Sequence, residues 1–337
     1  MSLNALLNRP EQDPFWRRLL KSPTETLAKS LYALRASSTS SPSPSPLSSP
    51  SPSSKTQAKP PLHVVCISDT HNTTPSVSDG DILIHAGDLT QSGSRRELEA
   101  QIAWLDAQPH RFKVVVAGNH EICLDSGFTQ SRPATSSKVE SVLAEGDAHG
   151  DGDGEPIDWK SLIYLQNTST TLDIDSAREV KVFGSPYTPK HGNWAFQYPR
   201  ARTEIWGEIG IPNDTDILIT HGPPRAHLDL GFMGCEGLRS FLWGMQRKPL
   251  LHVFGHVHGG YGREIAMWDV FQRAYEGVLG GRSWVARWIW LAVLLWYGLI
   301  GVLTGWSGPR RKTVMVNAAA VGGVRDEKRR EAICVDI

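Results

Sequence analysis

Thiol chemistry has little to work with in this sequence. Of 337 residues only Cys66, Cys123, Cys235 and Cys334 are cysteine, and no two form a Cys-x-x-Cys pair. That scatter argues against a disulfide framework or a thiolate zinc site and for a reducing compartment. Net charge is lacking too: 35 basic residues balance 35 acidic ones. No global field therefore draws in a strongly acidic partner, and no nucleic-acid polymer is expected. A secretory leader is also missing from the first residues, because Ala5-Leu6-Leu7 is a short apolar core followed at once by Arg9 and Pro10. The expectation is a cytosol-facing chain that is not secreted. No internal repeat is visible.

What is present is enough for one large domain with appendages, at 40% hydrophobic and 21% charged residues. Within residues 1–36, Phe15-Trp16, Leu19-Leu20, Leu27, Leu31 and Leu34 recur at roughly helical spacing among basic residues. They read as an amphipathic helix for the domain or a membrane surface, or as a partly ordered tail. Residues 37–60 are dominated by Ser and Pro and read as a disordered linker, having too little apolar surface to offset the entropy of ordering. From residue 61 to 337 the chain reads as globular. Val- and Ile-rich runs at His63–Ile67, Ile82–Ala86, Lys113–Ala117, Val180–Phe183, Ile217–Thr220 and Leu251–Phe254 read as buried strands. Ser94 to Asp106 reads as a helix, with Ser94 and Glu97 at capping-box spacing and Leu98, Ile102 and Leu105 on its apolar face. The alternation predicts an α/β domain of layered sheets, with a polar surface insertion at 126–156.

Chemistry collects where those strands stop. The sequence there reads Asp69-Thr70-His71, then Gly87-Asp88, Gly118-Asn119-His120-Glu121, Thr220-His221-Gly222 and Gly255-His256-Val257-His258. Open α/β sheets place ligand sites at the C-terminal ends of strands. A carboxylate and an imidazole two residues apart can point at one ion, and adjacent glycines let the backbone approach closely. Each piece alone is weak: Gly-Asp is a common turn, and a lone histidine is usually a hydrogen-bonded core residue. The strength lies in five pieces in sequence, because polar clusters after buried runs are costly unless paired or coordinated.

These motifs resemble those of the calcineurin-like metallophosphoesterase superfamily, from about Leu62 to the C-terminus. Ser68-Asp69-Thr70-His71-Asn72, His85-Ala86-Gly87-Asp88-Leu89-Thr90 and Thr220-His221-Gly222-Pro223-Pro224 are similar to phrases of its small brain-type and fungal members. The resemblance implies a four-layer α-β-β-α sandwich and a phosphoesterase acting through hydroxide held by two divalent metal ions. It places Asp69, His71 and His258 on one ion, Asn119, His221 and His256 on the other, and Asp88 between them. His120 is expected near the phosphate, protonating the leaving alkoxide; the alternative is a hydrogen bond orienting Asn119. Glu121 is expected to support the ligands, and Asn72 and Tyr261 to touch substrate or to serve as structure. Carboxylate, amide and imidazole ligands without thiolate suit Mn, Fe or Zn. Some relatives replace the first histidine of Gly-His-x-His; this chain keeps it as His256.

Protein phosphatases of the superfamily carry Asp-Arg-Gly after Gly-Asp, and that sequence is missing here: Leu89-Thr90-Gln91-Ser92-Gly93 follows Asp88. The resemblance therefore implies a small phosphate-ester substrate, a phosphodiester first and possible cyclic nucleotides among them. A small-molecule monoester, or a vestigial site in a membrane-associated binding protein, is the alternative.

One segment stands apart. Within a hydrophobic insert at 283–309, Trp288 to Trp306 carries no charge and is long enough to cross a bilayer. Trp at both ends and Arg282, Arg287, Arg310, Arg311 and Lys312 outside look like interfacial anchors. Yet Thr313–Ala318 and Ile333–Asp336 resemble the family's last strands, which must lie on the same side of a membrane as the metal site. That favours membrane contact through 288–306 by a segment dipping into one leaflet, bent at Gly298 and Gly301. A true span and an apolar helix covered by Phe15–Leu34 are the alternatives.

Overall fold

A computed structural model describes residues 13–39, 60–130, 156–176, 178–231, 233–281, 283–304, 312–323 and 327–337. Most of the expected Ser/Pro linker (40–59) and most of the polar insertion lie outside these residues, while 37–39 continue a helix instead of starting the linker.

The short apolar runs become strands because both of their faces are buried. The first sheet has the order β11-β1-β2-β3-β4, comprising Ile333–Asp336, His63–Ile67, Ile82–His85, Phe112–Val115 and Ile163–Tyr164. The second has the order β9-β10-β8-β7-β6-β5, comprising Gly262–Ala266, Thr313–Asn317, Leu251–Phe254, Ile217–Thr220, Arg178–Ser185 and Thr168–Asp175. β1 to β4 run parallel and β11 pairs antiparallel with β1. In the second sheet β6, β7, β8 and β10 are parallel, with β5 and β9 antiparallel at the two edges.

Alternation along each strand separates two sets of side chains. Val64, Cys66, Ile84 and Val114 from one sheet meet Val182, Ile219 and Val253 from the other. The opposite faces turn to helices. Val65, Ile67 and Leu83 pack on Leu98, Ile102 and Leu105 of α3 (Arg95–Asp106). Phe183, Leu218 and Phe254 pack on Leu238 and Leu242 of α4 (Glu236–Gly244). Each fully buried aliphatic side chain contributes about 1.5–3 kcal/mol, so the four layers α-β-β-α follow from the pattern. The capping box at α3 is half formed. Ser94 Oγ accepts from the Glu97 N–H, but Glu97 reaches Ser92 and Gly93 instead of returning to Ser94.

The amino-terminal segment forms two helices, α1 (Phe15–Lys21) and α2 (Pro23–Thr39). α5 (Val270–Gly280) precedes the insert, and the insert forms α6 (Trp284–Thr304), continuous through Gly298 and Gly301 with no break at either. Ala28 and Tyr32 of α2 are buried with Phe271, Tyr275 and Val278 of α5 and Leu294 of α6. Arg35 pairs with Asp269 and Glu25 with Arg287, tying α2 to both helices. The covering is one-sided: Trp288, Leu295, Leu299 and Val302 remain 47–81% exposed. Ala266 before the insert is the register partner of Thr313 after it. Strands so paired cannot lie on opposite sides of a bilayer, which leaves α6 no single crossing.

Candidate metal centre

Every candidate loop begins where a parallel strand ends, and the backbone there is forced into unusual shapes. Asp69, His71, Asp88 and His256 all have positive φ, between 43° and 65°. Side chains with a Cβ rarely adopt this conformation, and it is held here by the surrounding packing. Gly118 shows how close the loops come. A Cβ there would sit 2.3 Å from Asp88 Oδ1 and 2.7 Å from His221 Cε1. At Gly255 it would sit 2.1 Å from Asp69 Oδ2.

Within this frame three groups of side chains bring ligand atoms within 4.8 Å of one another: Asp69/His71/His258, His71/Asp88/His120 and Asp88/His221/His256. His258 Nε2 lies 3.2 Å from Asp69 Oδ1, and His221 Nε2 lies 3.2 Å from Asp88 Oδ2 and 3.1 Å from Asn119 Oδ1. The structure thus gathers all seven expected ligands and His120. Asp88 and His71 each belong to two of the groups, so the three groups form one continuous cluster.

The donor set fits cations. Burial alone would raise the Asp69 carboxyl, but the hydrogen bond and charge of His258 hold it well below the usual carboxylate range. Burial opposes ionisation of Asp88 as well, and His221 overcomes it. Burial pushes His256 down to about 3 and also lowers His71, leaving their lone pairs unprotonated. On His221 the Asp88 carboxylate outweighs burial and raises the imidazole to about 9. A metal ion there would displace that proton. The clearest sign is His71, which is buried with no hydrogen-bond partner at either ring nitrogen. Such a group is costly unless something absent from the polypeptide binds it.

Glu121 earns its place by a different route. It is fully buried, and Oε2 accepts from the N–H groups of Asp88 and Gly118 while Oε1 accepts from the N–H and Oγ of Thr90. One carboxylate thereby joins the second and third motif loops. His120 does not bond Asn119. Its Nδ1 donates to the Gln91 carbonyl at 2.8 Å, and its backbone N–H donates to Asp88 Oδ1 at 2.8 Å. The ring stacks on Trp194 at 4.3 Å. Trp194 escaped the sequence reading; the one signal was an indole among Lys190, His191, Gly192 and Asn193, where no strand pattern calls for one. Asn72 and Tyr261 have structural partners: Asn72 donates to Glu97 and the Tyr261 hydroxyl donates to the Glu331 carbonyl. Two further histidines, His85 and His252, bond the hydroxyls of Thr70 and Thr220 behind the loops.

Residues 62–260 match the calcineurin-like phosphoesterase family. The chain belongs to that family. Calcineurin-like phosphoesterases use two divalent metal ions, and the groups above are the residues able to hold them. Among relatives, metallophosphoesterase domain-containing protein 1 of Homo sapiens is 35% identical, over 60% of this chain and 63% of its own length. The UPF0046 protein K07C11.7 of Caenorhabditis elegans is 40% identical over 61% of this chain and 67% of that protein. A protein of Emericella nidulans named "Probable rhamnogalacturonate lyase C" is 52% identical over 99% of this chain, which spans 29% of that protein's length. The phosphoesterase match lies wholly inside the shared stretch.

Proposed function

We propose that this metal-dependent phosphoesterase hydrolyses small phosphodiesters, cyclic nucleotides among the candidates, with Asp69, His71 and His258 at one ion, Asn119, His221 and His256 at the other, and Asp88 shared. Held there, two ions would supply a lowered pKa for water and charge neutralisation at the phosphate oxygens.

The protein's own residues supply positioning and the proton. Glu121 fixes the loops that carry Asp88 and Asn119, so the ligands meet the ions without rearrangement. Because Nδ1 of His120 must donate to a carbonyl, Nε2 is the nitrogen left for the ester. In its protonated form Nε2 donates to the leaving alkoxide, and Trp194 holds the ring at that angle.

The observation that carries the diester reading is the lack of a cation on the Gly-Asp loop. Thr90 is bound to Glu121, and the Gln91 carbonyl accepts from His120. The next basic residue, Arg95, pairs with Glu99 on the exposed face of α3. A monoester dianion would miss a guanidinium there, whereas a diester carries one charge fewer and needs it less.

The test is hydrolysis by the purified full chain, with Mn²⁺ supplied, of a bis-aryl diester, a mono-aryl ester and cyclic nucleotides. Diesters should be preferred, Asp88→Ala should abolish turnover, and His120→Ala should lower kcat about 10²–10⁴-fold with metal content retained. A preference for the mono-aryl ester would overturn the diester reading. Full activity in Asp88→Ala would overturn the site.

A further inference from the structure

Arginines gather a second time, away from the strand ends, beneath the root of α6. A cavity of about 570 Å³ is lined by Arg225, Arg239 and Arg273, by Glu236 and Glu276, and by the indoles of Trp243 and Trp290. Arg225 and Arg239 each keep a buried Nε with no acceptor. Arg225 meets Glu236 only at 3.8 Å. Arg273 lies over the Trp243 ring at 4.6 Å and, among the described residues, faces no carboxylate at ion-pair distance.

The carboxylates do not cancel this charge. Glu276 Oε1 accepts from His227 Nε2 and Gln272 Nε2, and Oε2 accepts from Trp243 Nε1. His227 is fully buried between Glu276 and Glu264; against the cost of burial those carboxylates raise it to about 10, so it is a cation at neutral pH. Glu276 thus shares the one charge of His227 with Glu264, and Arg239 approaches it at 3.6 Å, so the lining sets three guanidinium groups against two carboxylates. Glu236 serves both Arg225 and Arg239, and the wall keeps a net positive charge. Guanidinium forks beside indole faces suit phosphate oxygens.

The surroundings indicate where the phosphate comes from. Trp290 packs flat on Gly277, where an added Cβ would lie 2.5 Å from the indole, so the cavity wall is continuous with α6. On that helix Trp284, Trp288, Leu295, Leu299 and Val302 form one exposed apolar stripe. Elsewhere, α1 exposes Trp16 and Leu20 at 72% and 87% and carries Arg17, Arg18 and Lys21. Basic pockets at the edge of an apolar, Trp-bearing surface match the layering of a bilayer, with phosphates just outside the hydrocarbon.

We propose that the Arg225/Arg239/Arg273 cavity binds the phosphate headgroup of an anionic phospholipid while the outer stripe of α6 lies in one leaflet. The site is separate from the metal centre and holds lipid as an anchor. Its existence does not depend on the diester reading, because binding is read without turnover.

The full chain would be floated with vesicles of phosphatidylcholine, alone or mixed with phosphatidic acid. Wild type should bind both, and the acidic vesicles about tenfold or more tightly. Arg225→Gln/Arg273→Gln should lose that preference yet still float with neutral vesicles, and Leu295→Ser/Val302→Ser should lose flotation with both. Circular dichroism and thermal unfolding check that each variant is folded; if the first pair fails, Arg273→Gln alone carries the test. Equal binding of wild type to both vesicles, or a preference retained by the arginine variants, would overturn the proposal. So would stabilisation by inorganic phosphate, lost in Arg225→Gln/Arg273→Gln, together with no flotation; that result assigns the cavity to a soluble phosphate.

Discussion

Glu121 and Trp194 touch no expected ion, yet each fixes a residue that does the chemistry. Replacing Glu121 with Ala leaves the N–H groups of Asp88, Thr90 and Gly118 without their acceptor in a buried place. Each orphaned donor costs about 1–3 kcal/mol, so denaturant unfolding should show a loss of about 3 kcal/mol or more, with metal content reduced. Glu121→Gln keeps the volume and oxygen Oε1 but loses the charge, and should fall between. Trp194→Ala should do the reverse: metal content and unfolding nearly unchanged, kcat lowered because His120 is no longer held. The candidate ligands were legible as a cluster because Asp-x-His, Gly-Asn-His-Glu and Gly-His-x-His are local patterns tied to strand ends. Glu121 was legible only as a helper, and Trp194 not at all, since a contact between residues 120 and 194 leaves no mark in local spacing.

At the scale of elements, the central strands were legible nearly to the residue because burial on both faces demands continuous apolar runs, whereas β4, β5 and β9, which stay partly exposed, carry no such run and were not. The helices at the chain's amino end were not settled by periodicity, which fits an interfacial helix and a docked one equally. What decided between them is a buried polar cluster: Tyr32 and Arg35 of α2 reach Ile265, Gln272 and Asp269. His227 sits in the same layer, 6.5 Å from the Tyr32 ring. Because its folded pKa, about 10, lies above the unfolded value near 6.5, its contribution is complete below about pH 6.5. That contribution is lost as pH rises toward 10. Wild type should therefore lose stability between these limits, by at most several kcal/mol at about 1.4 kcal/mol per unit. His227→Gln should start lower at pH 6 and show a flatter profile, measured by thermal unfolding across the range.

For the whole molecule, the two sheets and the metal centre form one system. Carboxylates and unpartnered His71 nitrogens are packed where strands from both sheets converge. Removing the metals should then reach beyond catalysis. Exhaustive chelation should lower Tm, and adding back Mn²⁺ or Zn²⁺ should restore it in proportion to concentration over Kd. An unchanged Tm would mean that the loops hold their strained shapes without ions.

The outer strand β9 has a further consequence. Among the described residues it pairs with β10 alone, and the backbone groups on its other side could template a strand from a second molecule. α2 lies over it, and the Tyr32 hydroxyl donates to the Ile265 carbonyl at 3.0 Å. The helices that carry no catalytic group thus act as a guard against self-association. Deleting residues 1–39 should leave the metal ligands in place yet raise the particle mass through edge pairing, visible by light scattering against the full chain. A Lys placed at Ile265 should suppress that rise.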